Sequence, residues 1–101
     1  PLPRTDYAEN IYWVYGIVID EPRGVDATHV MQQLAEKGVG TRPFFYPMHQ
    51  QPVLRGMGFF DGVHLPVSER LYRQGFYIPS GMALTGNQID QVAEAVKMVL
   101  A

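Results

Sequence analysis

Ten residues, IYWVYGIVID from Ile11 to Asp20, constrain the fold more than any other stretch of the chain. The odd positions are Ile11, Trp13, Tyr15, Ile17 and Ile19, and the even ones include Tyr12, Val14, Gly16 and Val18. A strand with one wet face alternates apolar and polar residues. Here both sets are apolar and rich in β-branched and aromatic side chains, so the pattern predicts an inner strand buried on both faces. The chain has 101 residues, enough for one domain and one core. A short sheet with helices on one side covers only one face of such a strand, and apolar area left in water forgoes roughly 25 cal/mol per Å². The pattern therefore asks for a second body against the sheet, either another domain or another copy of the chain.

The remaining segments follow in a simple order. Residues 1–10, PLPRTDYAEN, are polar and proline-bearing and read as a lead-in or linker, leaving 11–101 as the folded domain. EPRG predicts a turn. A helix is expected from about Asp26 to Lys37, with Asp26 capping its start, Val30, Met31 and Leu34 forming its apolar stripe and Gly38 ending it. Thr41 to Tyr46 reads as extended, but Pro43 cannot donate to a ladder, so this strand belongs at an edge or at a bulge. Pro52 suits the start of a short helical turn through Arg55. GMGFFDG reads as a loop. Pro66 suits the first turn of a short helix running to Gln74, and GFYIP reads as a strand closed by Pro79. The last segment has Thr85 at a cap and Gln88 three residues on, a capping-box pattern, followed by Ile89, Val92, Ala93, Val96 and Leu100 at helical spacing. The expected class is α+β: a small two-layer sandwich with a short mixed or antiparallel sheet and helices on one face.

Composition narrows the function. The chain is 47% apolar and 18% charged, with a formal charge of -2, which is the balance of a folded soluble domain. Its eight Lys and Arg residues are scattered, which argues against a nucleic-acid-binding face. It has no cysteine, hence no disulfide, thiolate metal site or thiol nucleophile. No apolar run approaches the roughly 20 residues of a membrane span. His29, His49 and His64 lack metal-ligand spacing, Ser68 and Ser80 lack the context of a nucleophile elbow, and no glycine-rich loop follows a strand. The two lysines, Lys37 and Lys97, fall on helices, outside any context that would make them Schiff-base residues. The chain starts at Pro1 and not at Met, as a piece of a longer protein would.

One loop concentrates chemistry. GVGTRPFFYPMHQQP, Gly38 to Pro52, holds an arginine, three aromatics and a histidine between glycines and prolines. Arg42 offers a bidentate fork to a phosphate or carboxylate. Phe44, Phe45 and Tyr46 offer flat faces to a base, sugar or ring, and His49 can donate to an oxygen or move a proton. The competing reading of the same residues is structural: the aromatics are core, His49 is bonded to backbone and Arg42 is solvated.

YWVYGIVID, the loop and YIPSGMALTGNQIDQV occur in an order and spacing that resemble the C-terminal part of the DegT/DnrJ/EryC1/StrS sugar aminotransferases, from about Asn10 to the end. TRPFFYP resembles most the members that act on GDP-linked 4-keto-6-deoxymannose. The resemblance implies the small C-terminal domain of a type I pyridoxal-phosphate transferase fold, belonging to a cytoplasmic dimeric enzyme. Its partners would be a large domain carrying pyridoxal phosphate and the cofactor lysine, a second subunit, and a nucleotide-sugar substrate. It also implies that Arg42, Phe44, Tyr46 and His49 contact that substrate. This chain would hold no catalytic residue and no metal, would bind no cofactor alone, would be inactive alone, and would self-associate through the sheet face left bare. The parent could equally be a related sugar dehydratase of the same fold and cofactor. An expectation from a different class is a free-standing α+β ligand-binding or oligomerisation module.

Overall fold

A computed structural model describes residues 4–20 and 24–101. Most of the EPRG turn lies outside the described residues. The elements, in chain order, are β1 (Tyr15–Val18), α1 (Ala27–Glu36), β2 (Arg42–Pro43), a 3-10 turn (Met48–Gln50), α2 (Pro52–Gly56), α3 (Pro66–Gln74), β3 (Gly75–Ile78) and α4 (Gly86–Leu100). The strands form one antiparallel sheet in the order β1-β3-β2. The fold is α+β, as the sequence predicts.

The sheet departs from expectation in which strand is central. That strand is β3, and β1 lies at an edge, so Ile11–Asp20 is not an inner strand buried on both faces. The ladder stops at Tyr15 for a local reason. The Asn10 side chain accepts the Tyr12 N–H at 2.8 Å, and Tyr12 takes a left-handed φ of 51°. This side-chain turn competes with strand pairing, and it leaves Ile11 85% and Trp13 78% exposed. Beyond the strand, the register continues by other means. The Ile19 N–H donates to the Gln74 carbonyl at 3.0 Å, and the Ser80 hydroxyl donates to the Trp13 carbonyl at 2.9 Å.

Alternation sorts the sheet into two faces. Ile17 sits opposite Phe76 and Tyr15 opposite Ile78 on one face. Against this face pack Ala27, Val30 and Leu34 of α1, Ala95 of α4, Ile19 and Val39, with Phe76 and Leu34 fully buried. The other face carries Gly16, Val18, Gly75, Tyr77 and Arg42. Phe44 covers part of it: the ring lies so close over Gly16 that a Cβ there would come within 3.0 Å of it, and a Cβ on Gly75 would overlap both the ring and the Leu71 carbonyl. Two glycines thus make a seat for one aromatic.

The helices obey their local signals. Asp26 accepts the His29 N–H at 2.9 Å and caps α1. At the other end Gly38 takes φ +77°, its N–H reaches Ala35, and the Val39 N–H reaches the Leu34 carbonyl at 3.0 Å. That is a Schellman ending whose accompanying apolar contact, Val39 with Leu34, is buried. The extended edge segment expected over Thr41–Tyr46 is a strand only at Arg42–Pro43, with one further backbone bond from Phe44. The turn expected through Arg55 runs one residue further, and Pro66 opens α3. Thr85 and Gln88 form both halves of a capping box at the start of α4, which at 15 residues is the longest helix described.

Candidate functional site

The loop after α1 is laid out residue by residue against the α3–β3 segment. Arg42 pairs with Tyr77 and Pro43 with Phe76. The Phe44 N–H donates to the Gly75 carbonyl at 3.2 Å. The chain then leaves the sheet and follows the helix that feeds it. Tyr46 meets Tyr72 edge to face with ring centroids 4.9 Å apart, and His49 Nε2 lies 2.8 Å from Glu69 Oε1. The loop and α3–β3 therefore run antiparallel in one continuous register, first through backbone bonds and then through side chains.

This register divides the four residues singled out in the sequence. Arg42 is exposed at the open edge of the sheet and makes no ion pair among the described residues. Tyr46 is 41% exposed. Phe44 is half-buried, tilted against Tyr77 at 4.8 Å. His49 is 4% exposed. Its Nε2 donates to a carboxylate and not to backbone, since an ionised Glu can only accept.

Glu69, Tyr72 and Tyr77 join this group and were not singled out from the sequence. One Glu69 oxygen accepts from His49 and also from the Leu65 N–H at 3.1 Å. These two bonds, the His49 one first, hold its carboxyl below the usual carboxylate range. The legible signal was an acid in the first turn of a helix opened by Pro66; its link to a histidine twenty positions away needs the tertiary register. Tyr77 lies beside Arg42, in edge contact with Phe45 at 6.2 Å, and Phe45 is itself 82% exposed. Thr41, Arg42, Tyr77 and Pro79 border an open hollow of about 650 Å³. A cationic fork beside an aromatic ring can hold an anionic group and stack a flat one.

Neither lysine suits a pyridoxal-phosphate Schiff base, which needs a desolvated amine. Lys37 is exposed at the C-cap of α1. Lys97 is 71% exposed and paired with Glu94 at 2.7 Å, which raises its pKa. The two lysines of this chain do not fit the covalent anchoring of that cofactor.

An apolar groove of about 620 Å³ runs between the sheet and α4, lined by Ile11, Tyr15, Ile17, Ile78, Ile89 and Val92 among others. No helix among the described residues is long and apolar enough to cross a membrane.

Comparison with known proteins gives a consistent picture. The chain is 27% identical to the GDP-perosamine synthase of Vibrio cholerae over 86 residues, covering 85% of this chain and 23% of that protein. It is 29% identical to the GDP-perosamine synthase of Caulobacter vibrioides over 91 residues, 90% of this chain and 24% of that one. The chain thus spans about a quarter of the length of these relatives. Among solved structures it resembles Helicobacter pylori PseC, an aminotransferase involved in the biosynthesis of pseudoaminic acid, with a TM-score of 0.76 at 16% identity over 86% of this chain and 23% of that one. That likeness speaks for the fold. The profile of the DegT/DnrJ/EryC1/StrS aminotransferase family matches residues 2–97, nearly the whole length. On that match the chain belongs to the DegT/DnrJ/EryC1/StrS aminotransferase family.

Proposed function

We propose that this chain is the small C-terminal domain of a pyridoxal-phosphate-dependent nucleotide-sugar aminotransferase and that residues 42–49 form its ligand-facing loop. The parent enzyme moves an amino group to a 4-keto-6-deoxy sugar carried on guanosine diphosphate. Two relatives named for GDP-perosamine motivate that substrate class. The observation that carries the reading is the exposed Arg42, without an ion pair among the described residues, fixed by register beside Tyr77 at an open sheet edge. Arg42 meets phosphate or sugar oxygens, Tyr46 contributes a second contact, and Phe44 and His49 hold the loop that presents them.

The cofactor and the lysine that binds it belong to the rest of the parent, because the environments of Lys37 and Lys97 suit neither task. Transamination accordingly requires the intact protein, and the chain alone is inactive. The exposed Ile11 and Trp13 and the groove beside α4, on the helix-packed side of the sheet and not on the bare face expected from the sequence, form the surface covered by the large domain or by a second subunit, and through it the isolated chain self-associates.

The test is a paired titration of the intact protein and its Arg42→Ala variant with a GDP-linked keto sugar and, separately, with pyridoxal phosphate. Loss of a charge-assisted hydrogen bond worth roughly 1.5–3 kcal/mol weakens sugar-nucleotide binding by about one to two decades and leaves cofactor binding unchanged. Equal sugar-nucleotide affinity in the two proteins returns Arg42 to a solvated surface role.

A further inference from the structure

The continuous register of residues 42–49 along β3 and α3 gives one acidic residue outside the loop control over it. The 3-10 turn at Met48–Gln50 has no side-chain cap of its own. Its buried member, His49, is fixed by one side-chain bond among the described residues, to Glu69 at 2.8 Å. The same Glu69 oxygen accepts the Leu65 N–H and so ties down the start of α3. One turn further along that helix, Tyr72 receives the ring of Tyr46. At its end Gly75 accepts the Phe44 N–H and leaves room for the Phe44 ring. The loop is thus pinned at its sheet end by backbone pairing and at its far end by one carboxylate. Between the pins stands Tyr46, with Arg42 at the sheet end.

We propose that Glu69 is a positioning residue: by accepting from His49 Nε2 it locks the far end of the loop onto α3 and so sets where Tyr46 and Arg42 stand toward a ligand. The proposal rests on the reading of 42–49 as the ligand-facing loop, but the lock itself is separable from that reading. Glu69 need not touch the ligand; it acts through His49. A glutamine at 69 retains an oxygen that accepts from Nε2, whereas alanine removes it.

The experiment compares the intact protein with its Glu69→Ala and Glu69→Gln variants in two measurements. In amide hydrogen exchange without ligand, Glu69→Ala speeds exchange across residues 44–51 by about tenfold, the loss of one charge-assisted bond, while α4 keeps its rates. Glu69→Gln retains most of the protection. In steady-state kinetics, Glu69→Ala raises KM for the sugar nucleotide by a similar factor with a smaller change in kcat, and Glu69→Gln restores KM toward that of the unaltered protein. Unchanged exchange over 44–51 in Glu69→Ala, or acceleration spread equally over α4, overturns the lock. Local acceleration and glutamine rescue with KM unmoved uphold the lock and overturn the assignment of the loop to the ligand.

Discussion

Phe44 shows how a single residue ties the loop to the sheet. From the sequence it was either core or ligand contact; in the fold it caps the second face of the sheet, seated on Gly16 and Gly75. The seat works only without side chains beneath it. At Gly75 an added methyl meets the Leu71 backbone oxygen as well as the ring, so a rotation of Phe44 alone does not relieve it. At Gly16 the nearest atoms belong only to side chains, with the Phe44 ring at 3.0 Å. Overpacking costs typically 1–3 kcal/mol, occasionally more. Gly75→Ala is therefore expected at or above about 3 kcal/mol and Gly16→Ala nearer 1 kcal/mol. Denaturant unfolding of the two variants measures both, and an equal cost contradicts the seat. His49 is a second case at this scale. Its residue type suggested a proton carrier; in the fold it is buried and bonded to Glu69, which is what the lock proposed above builds on. Residue type alone does not separate these roles, because the partner is remote in sequence.

At the scale of elements, legibility followed locality. Both ends of α1 and the start of α4 were readable because each is set by residues within a few positions: Asp26 with His29, Gly38 with Ala35 and Leu34 with Val39, Thr85 with Gln88. Thr85→Ala removes the hydroxyl that accepts the Gln88 N–H, and a lost cap costs about 1 kcal/mol. Because Ala95 of α4 reaches the core, the loss should appear in global unfolding and not merely as fraying; a midpoint unchanged from that of the unaltered chain contradicts a stabilising cap. The sheet was legible in class but not in order. The apolar character of Ile11–Asp20 reports what the strand needs around it, not which strand it pairs with. The central place fell to GFYI, a four-residue strand with a glycine at its head, because β2 and β1 both reach it from distant parts of the chain. Nothing local in those four residues announces two partners. The edge character of β2, by contrast, was readable from Pro43 alone.

At the scale of the whole molecule, the doubly apolar first strand and the crowded loop are two parts of one description. The strand and the groove beside α4 form an apolar face, with Trp13 78% exposed at one end. The loop forms a polar and aromatic rim on the other side of the sheet, where Arg42 and Tyr77 stand. On the function proposed above, the domain docks on one surface and offers the other to a ligand; the two perosamine synthases it resembles are about four times its length. The α+β class was legible in the sequence, and so was the crowding of residue types in the loop; the arrangement of those residues was not, because it depends on the antiparallel register of residues 42–49 against 69–77. The most direct test of the ligand-facing loop is a crystal structure of the intact protein with a GDP-linked sugar bound. The account predicts the Arg42 guanidinium within about 3 Å of a ligand oxygen, with His49 still bonded to Glu69. A ligand bound away from residues 42–49, with Arg42 in solvent, would contradict it.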